Sequence, residues 1–574
     1  MKILTLIVAI TISLAGCSPA DQSAAESTKT DASDAADTVY TNGRFYTVND
    51  AQPWAEAVAI KDGKFVVVGS NSDANAKAGG STKVVDLGGK MVLPGIVDTH
   101  VHAYEAGGAY LKCKLPGTLD APSWDDLLET IESCKPRQSE DWFYGEGYTA
   151  AVIPDGKYIK ETLDEIFPDQ PVLLQDESGH NGWVNSKAIE VAGVSKDTSL
   201  PPGNSFGIDE ATGEMNGQIV EIAAMQVFKD VIPPDTDAMK KDGLRLAIKM
   251  ANENGITSWF EAWTLEAALP IWDDIAKAGE LTVRTRLAPL AIGFEGVAME
   301  GPEMNALMEK FELPGITYGA KIFTDGTIEG GTAGMLEPAG PNNDLGRTTV
   351  DEETMERVVR SLDAAGIQVK AHTIGDQANG MILSVLERVI ADRGQNDHRH
   401  HVGHVAHLNA DYYARYKESG IPVESNIAQA APMLYMTDVI KPVTPPDLWE
   451  HHTYPFGNLA NAGVVLAGGS DWSSLPFDPF YAMAAAVTRT DPKRPELGAW
   501  SEENRVTVEQ IIRTYTMNGA YLMHAESETG SIEVGKSADM VVISQNLFEI
   551  EPMDIYNTHT LTTIFKGEVV YEKD

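Results

Sequence analysis

Two histidines separated by a single residue, His100 and His102, end the stretch PGIVDTHVH. The residues before them are apolar and β-prone, which predicts a buried strand that ends in a polar loop. Alternate side chains of a strand point to the same face, so both imidazoles are expected on one side. Paired imidazoles at a strand end can ligate a divalent metal. The alternative is a pair of hydrogen-bonded structural histidines.

Polar residues also stand near the ends of other strand-like segments, namely Lys321, His372, His404 and Asp471. Helical patterns such as 351–365 and 377–392 separate these segments, and this alternation is typical of a parallel α/β fold. In a (β/α)8 barrel the C-terminal ends of the strands meet on the catalytic face. Eight such strands are predicted, at residues 94–102, 255–261, 281–287, 317–325, 367–372, 400–404, 421–425 and 463–471.

The two ends of the chain, residues 39–91 and 526–574, are predicted to consist of short strands and turns. Neither end has enough apolar surface to fold alone, so we expect one small split β-sandwich beside a barrel of residues 92–525. Residues from about 110 to 245 do not follow the barrel period and are interpreted as an insertion after the first strand. The insertion is either a lid that meets the substrate or a plain folded excursion.

The first 16 residues have the pattern of a signal peptide, with Lys2 before a short apolar run. Leu14–Cys17 resembles the bacterial lipobox, in which the cysteine is lipidated. An ordinary secretory cleavage near Gly16 is the alternative. Ser18 in place of aspartate implies sorting to the outer membrane, and residues 17–38 have the composition of a flexible tether. The sequence therefore predicts an exported lipoprotein on the periplasmic face of the outer membrane of a Gram-negative bacterium.

Two further cysteines, Cys113 and Cys134, would lie in an oxidising compartment in an exported chain. A disulfide between them is expected, and two buried thiols are the alternative. The formal net charge of −40 argues against a nucleic-acid partner and against electrostatic binding to anionic lipid. Contact with a membrane is therefore expected only through the lipid anchor. The acidic excess itself is interpreted as a heavily solvated surface.

Six segments together resemble the amidohydrolase superfamily, and more closely its YtcJ-like amidohydrolase-3 branch, over nearly the whole mature chain. They are PGIVDTHVH, AKIFTDGT, VKAHTIGD, RHHVGH, AGGSDWSSLPFDP and GSIEVGKSAD. The resemblance implies a (β/α)8 barrel with a split β-sandwich and a centre of one or two divalent metals, usually Zn²⁺. It also implies hydrolysis of an amide or related C–N bond of a small molecule, such as an N-acyl compound, a formamide or a cyclic amide. Dimers are common in this family, so a homodimer is expected.

Carried over to this sequence, the resemblance assigns His100 and His102 to a first metal and His372 and His404 to a second. Lys321 would bridge the metals as a carbamate formed with carbon dioxide. Asp471 would contact the first metal and act as general acid and base for a metal-activated hydroxide. A mononuclear site with a plain ion-paired Lys321 is the alternative, and Mn²⁺ or Fe²⁺ could replace Zn²⁺.

Several details of the pattern leave alternatives open. Asp325, Asp376 and Trp472 follow strand ends, where they would contact substrate or else cap helices and pack. His180, in the insertion, is a further candidate for substrate binding. The residue before His404 is Gly403, where the family more often has an acid, so the carboxylate that orients this histidine is expected to be missing.

Two other functions compete with the amidase interpretation. The first is hydrolysis of an ester, carbamate or lactone on the same centre. The second is a non-catalytic periplasmic binding lipoprotein, since a fold does not fix a function. The complete ligand set argues against the second.

Overall fold

The computed structural model describes residues 35–117, 120, 122–135, 141–177, 181–201, 204–394 and 397–573. Three predicted features lie outside the described residues. These are the signal peptide with most of the tether, the lipidation site Cys17, and the candidate substrate residue His180.

The N-terminal strands build most of two sheets. The predicted hairpin of residues 57–69 forms around Asp62 and Gly63, which both have positive φ (49° and 72°) and so make the tight turn. The elements are β1 (Thr38–Thr41), β2 (Arg44–Tyr46), β3 (Trp54–Ala55), β4 (Ala57–Lys61), β5 (Lys64–Gly69), α1 (Asn71–Asn75), β6 (Lys83–Asp86) and β7 (Met91–Pro94). One of the two sheets has the strand order β5-β4-β1-β6.

The first barrel strand is β8 (Ile96–Val101), and α2 (Ala103–Lys112) follows it directly. The chain then leaves the barrel for a separate five-stranded sheet of order β12-β13-β11-β10-β9, with its own apolar cores. A disulfide joins Cys113 to Cys134, whose Cα atoms are 5.6 Å apart. The elements are α3 (Trp124–Cys134), β9 (Phe143–Tyr148), α4 (Lys160–Ile166), β10 (Val172–Asp176), β11 (Gly182–Val184), α5 (Ser186–Ala192), β12 (Ser205–Ile208), β13 (Met215–Val220) and α6 (Ile222–Lys229).

All eight predicted barrel strands are present, and the parallel order along the sheet is their order in the chain. The last strand returns to the first through a parallel bridge between Val101 and Trp472 and a hydrogen bond from Thr99 Oγ1 to Gly468 O (3.0 Å). After β8 the strands are β14 (Ile256–Thr264), β15 (Arg284–Gly293) with the short β16 (Gly296–Val297), β17 (Ile316–Tyr318) continued by β18 (Ala320–Phe323), β19 (Val369–Thr373), β20 (His401–His404), β21 (Val423–Asn426) and β22 (Leu466–Gly469).

Helices connect these strands and cover the barrel. They are α7 (Asp237–Glu253), α8 (Leu269–Lys277), α9 (Gly301–Met308), α10 (Glu352–Ala364), α11 (Asp376–Arg393), α12 (Tyr412–Ser419), α13 (Pro446–His452), α14 (Phe456–Ala462), α15 (Pro479–Thr488), α16 (Val508–Thr514) and α17 (Met517–Leu522). Helix α10 shows why the pattern is helical. Asp351 caps its N-terminus by accepting the Thr354 N–H, and Met355, Val359 and Leu362 recur on its buried face.

The C-terminal strands complete the β-sandwich. β23 (Met540–Ile543), β24 (Thr560–Phe565) and β25 (Glu568–Glu572) join N-terminal strands in a sheet of order β25-β24-β23-β7-β2-β3. The predicted fold class, a (β/α)8 barrel with a sandwich shared by both chain ends, is confirmed. Among the described residues, no helix combines the length and apolar character needed to cross a bilayer.

Candidate metal centre

The first and last barrel strands bring two histidines and a carboxylate together. His100 lies on β8, His102 follows it, and Asp471 follows β22. Asp471 Oδ1 is 3.2 Å from His102 Nε2 and 3.5 Å from His100 Nε2. His100, His404 and Asp471 each offer one ligand atom, and these atoms lie within 4.8 Å of one another. That spacing suits donors that belong to one metal centre, whether it holds one cation or two neighbouring ones.

The remaining predicted ligands lie beside this group at the ends of β18, β19 and β20. The ring of His404 is 4.6 Å from that of His100 and 4.3 Å from that of His372, measured between centroids. Lys321 Nζ lies 4.8 Å from the Phe323 ring, and this ring is 4.9 Å from His372. The structure therefore places all six predicted ligands in one neighbourhood on the C-terminal face of the barrel.

Hydrogen bonds fix which imidazole nitrogens are available. His100 Nδ1 is 2.8 Å from Glu424 Oε2, so this nitrogen carries the proton and Nε2 keeps its lone pair. The Nε2 atoms of His100 and His404 are buried and lack a hydrogen-bond partner among the described residues. His372 Nε2 donates to Gly326 O (3.2 Å), which leaves the lone pair on Nδ1. Buried, unpaired imidazole nitrogens are what a divalent metal needs, so these residues fit one.

The electrostatics keep these imidazoles neutral. Burial lowers the pKa of His404 to about 3, and the neighbouring His100 acts in the same direction. Burial also holds the pKa values of His100 and His372 well below the usual range. Neutral imidazole is the form that ligates metals.

Asp471 keeps its charge. Burial opposes ionisation, but His100, His102 and His404 outweigh it and hold the pKa of Asp471 well below its usual range. Asn426 Nδ2 donates to Asp471 Oδ2 (2.7 Å), which orients the carboxylate with Oδ1 toward the histidines. The backbone at Asp471 and His404 has positive φ (57° and 67°). Such conformations in non-glycine residues are costly and cluster at functional sites.

Lys321 is almost completely buried, at 1% exposure. Burial, and after it the nearby Lys370 ammonium, lower the pKa of Lys321 to about 7. A substantial fraction of this side chain is therefore the neutral amine near pH 7. Only the neutral amine has the lone pair that reacts with carbon dioxide.

A buried carboxylate that the sequence analysis missed, Glu424 on β21, orients His100. Glu424 Oε2 accepts from His100 Nδ1 (2.8 Å) and from Lys370 Nζ (2.6 Å). A Cβ at Gly403 would lie 2.8 Å from the same oxygen, so the glycine makes room for it. The sequence predicted that the carboxylate that orients His404 would be missing, because Gly403 precedes it. The structure has a carboxylate on the next strand, Glu424 on β21, and this carboxylate orients His100 instead. In the sequence, the only indication of this role was a single acidic residue, Glu424, within the otherwise uncharged strand VESN.

A second group of possible ligands adjoins His102. His102, Glu105 and Glu261 offer ligand atoms within 4.8 Å of one another, and Glu261 Oε2 accepts the Ala103 N–H (2.8 Å). Burial, and then the Glu105 carboxylate, raise the pKa of Glu261 well above its usual range. The raised pKa favours the neutral form of Glu261, which limits the negative charge beside His102.

Two other histidines near His404, His400 and His407, have hydrogen-bond partners of their own. His400 Nδ1 accepts the Val369 N–H (2.9 Å), so its Nε2 carries the proton and donates to Asp363 (3.2 Å). His407 Nδ1 pairs with Thr453 Oγ1 (3.0 Å). His400 has no lone pair left for a metal, which supports the choice of His404.

The predicted substrate residues within the described part of the chain have structural contacts. Asp325 accepts three backbone N–H bonds, from Gly334, Ile374 and Gly375, at 2.8–2.9 Å. Asp376 begins α11 and accepts the Leu336 N–H (2.9 Å). Trp472 is 1% exposed and packs between Tyr110 and Phe477. Asp325 and Asp376 therefore hold the loop after β18 against the barrel, and Trp472 contributes to the packing of aromatic side chains.

The segments after β18 and β21 add polar groups near Asp471. Tyr435 OH donates to Glu329 Oε1 (2.8 Å). Burial, followed by the charges of Glu329 and Asp471, raises the pKa of Tyr454 well above its usual range. These hydroxyl groups therefore stay protonated and can donate hydrogen bonds.

Comparisons with known proteins agree with this geometry. A family model, Amidohydro_3, described as "Amidohydrolase family", matches residues 83–571. The chain is 28% identical to "Putative amidohydrolase YtcJ" of Bacillus subtilis, covering 93% of this chain and 99% of the relative. It is 24% identical to "N-substituted formamide deformylase" of Arthrobacter pascens, covering 94% and 98%. The solved structure of an uncharacterised metal-dependent hydrolase from Pyrococcus horikoshii has a TM-score of 0.69 at 20% identity, covering 90% and 99%.

Proposed function

We propose that this chain, which belongs to the amidohydrolase family, is a metal-dependent hydrolase that cleaves an amide or other C–N bond of a small molecule. N-acyl compounds, formamides and cyclic amides are the substrate classes. The observation that carries the proposal is the group of His100, His404 and Asp471, with two buried imidazole nitrogens and an ionised carboxylate aimed at one point. The similarity to the N-substituted formamide deformylase of Arthrobacter pascens supports a C–N bond.

His100, His102 and Asp471 would hold one metal, and His372 and His404 a second, with Lys321 between them. Imidazole nitrogen and carboxylate oxygen donors favour Zn²⁺. When bound, such a cation polarises a carbonyl and lowers the pKa of water toward neutrality.

The residues themselves handle the proton. Asn426 holds Asp471 Oδ2, so Oδ1 is the atom that accepts the proton of the attacking water. The same carboxyl then passes this proton to the leaving nitrogen. Glu424 keeps the proton of His100 on Nδ1 throughout, so that Nε2 stays a donor of its lone pair.

The bridging role of Lys321 requires a covalent change. The neutral amine adds to carbon dioxide, one N–C bond forms, one proton is released, and the product carries a carboxylate in place of a cation. The pKa of about 7 supports this reaction at neutral pH.

Metal content per chain tests the proposal. Wild-type protein purified without chelator is expected to hold about two metal equivalents, and Lys321→Ala about one or fewer, because the bridge is lost. Elemental analysis measures both. His451→Ala is the control, since this histidine is exposed and forms an ion pair with Glu503 on the surface. Wild-type protein without metal would refute the mechanism.

A substrate panel then identifies the bond. Turnover of amides or formamides supports the proposal, whereas turnover of esters, carbamates or lactones alone would replace it. Stoichiometric metal with no turnover on a broad panel would favour a binding protein.

We also propose that the chain is an exported lipoprotein anchored through Cys17 to the outer membrane, with a homodimer as its assembly. The lipobox-like segment supports the anchor. Cys17→Ser is expected to move the protein from the membrane fraction to the soluble fraction, and unchanged fractionation would refute the anchor. Light scattering of the chain without its first 17 residues measures its molar mass, and the mass of a single chain would refute the homodimer.

A further inference from the structure

Three aromatic side chains from consecutive barrel strands form a wall beside the candidate metal centre. Trp263 lies near the end of β14, Phe294 directly follows β15, and Phe323 ends β18. The Phe323 ring is 4.4 Å from the Phe294 ring and 5.5 Å from the Trp263 ring, measured between centroids. We call these three residues the aromatic wall.

The aromatic wall leads from the centre to solvent. Phe323 is 6% exposed and contacts His372, with 4.9 Å between ring centroids. Phe294 contacts the Phe323 ring and is 58% exposed. A single exposed apolar residue would need no explanation. This residue continues a series of ring contacts that reaches a candidate metal ligand.

Further apolar surface extends the aromatic wall at the same strand ends. Leu265 follows β14 and is 42% exposed, and Val297 in β16 is 41% exposed. Exposed apolar side chains gathered at neighbouring strand ends are typical of ligand-binding grooves. Asn426, Tyr435 and Tyr454 place polar groups on β21 and the segment after it, on the far side of the barrel order.

We propose that the substrate carries an aromatic ring or a similarly flat apolar group next to the scissile C–N bond, and that this group stacks on the exposed ring of Phe294, which Phe323 supports from within the barrel. This inference rests on the proposed function and names the substrate class within it. Ring stacking supplies attraction beyond area burial and orients the ligand. The susceptible carbonyl would then lie toward His372 and His404.

The test compares an aromatic amide with a small one. N-methylacetamide is the reference, and N-benzylacetamide and N-methyl-phenylacetamide place a ring on the amine side and on the acyl side. In the metal-loaded enzyme, Phe294→Ala is expected to lower the ratio of kcat/KM for the preferred aromatic amide over the reference by about tenfold. Phe294→Leu retains apolar contact without a ring, so its ratio should lie between the ratios of wild type and Phe294→Ala. Val84→Ala, which removes exposed apolar surface on β6, is the control and should leave the ratio unchanged.

A binding measurement separates this inference from the proposed function. Saturation-transfer NMR with the same amides reports whether the ring contacts the protein. Ring binding that Phe294→Ala weakens supports the inference even if no amide is hydrolysed, an outcome that would count against the proposed function alone. Absence of ring binding, or an unchanged ratio in Phe294→Ala, would overturn the inference.

Discussion

At the scale of single residues, the centre depends on side chains that never touch the substrate. Glu424 and Lys370 are both fully buried and form an ion pair of 2.6 Å. An isolated charge at either position would be costly. Lys370 holds Glu424 Oε2 in place beside His100 Nδ1, and this contact fixes the tautomer of that histidine.

Glu424→Gln is therefore expected to weaken metal binding by about 10- to 100-fold, because outer partners of a ligating histidine contribute that much. The amide retains the size of the side chain but neutralises the partner of Lys370. Competition with a metal-binding dye measures the affinity. Glu503→Gln is the matched control, since Glu503 pairs with the exposed His451 at 3.0 Å. Equal affinities for Glu424→Gln and wild type would contradict the role of Glu424.

The residue types of the centre could be predicted from the sequence, but their supporting contacts could not. His100, His102 and Asp471 stand at strand ends, where parallel topology alone brings them together. Glu424 was missed because its partner His100 is far away in the chain, and only the closed barrel makes them neighbours. The roles of Asp325 and Asp376 were left open, because a capping carboxylate and a substrate contact have the same position in a sequence pattern.

At the scale of elements, strand and helix periodicity were sufficient to find the barrel. The helical patterns at 351–365 and 377–392 correspond to α10 and α11 within one residue at each end. The predicted strand at 317–325 is interrupted at Gly319, where a Cβ would lie 2.9 Å from Gln368 O. The local sequence does not predict this close approach, since it depends on the backbone that leads into the neighbouring strand β19.

The insertion after β8 shows the limit of periodicity. Its departure from the barrel period was visible, but its five-stranded order was not, because β9 pairs with β10 in parallel while β10 pairs with β11 in an antiparallel manner. The aromatic wall was missed for a related reason. Phe294 lies in a loop, and only the stacking on Phe323 distinguishes it from any exposed apolar residue.

At the scale of the whole molecule, the centre exists only when the barrel closes. His100 comes from the first strand and Asp471 from the end of the last, and the two segments are joined by the hydrogen bond from Asp471 N to His100 O (2.7 Å). A metal held by both would therefore stabilise the closed barrel against unfolding.

Many buried groups also make the stability of the whole chain depend on pH, in two opposing directions. Burial lowers the pKa values of His404 and His407 to about 3, and those of His100, His372 and His401 lie well below the usual range. The unfolded chain binds protons at these histidines below about pH 6.5, so stability falls as the pH falls. Burial raises the pKa of Asp325 to about 7 and that of Asp98 to about 6. The folded chain binds protons there first, so these acids add stability as the pH falls from 7 toward 4.

Among the described residues, histidines with a lowered pKa outnumber acids with a raised pKa. The metal-free chain is therefore expected to unfold at lower urea concentration at pH 5 than at pH 7. His407→Gln keeps a partner for Thr453 and removes one buried histidine, so the difference between the two pH values should shrink. His559→Gln is the control, because this histidine is exposed and should leave the difference unchanged. A chain more resistant to urea at pH 5 than at pH 7 would mean that Asp325 and Asp98 outweigh the histidines, which would contradict the neutral, buried imidazoles on which the candidate centre depends.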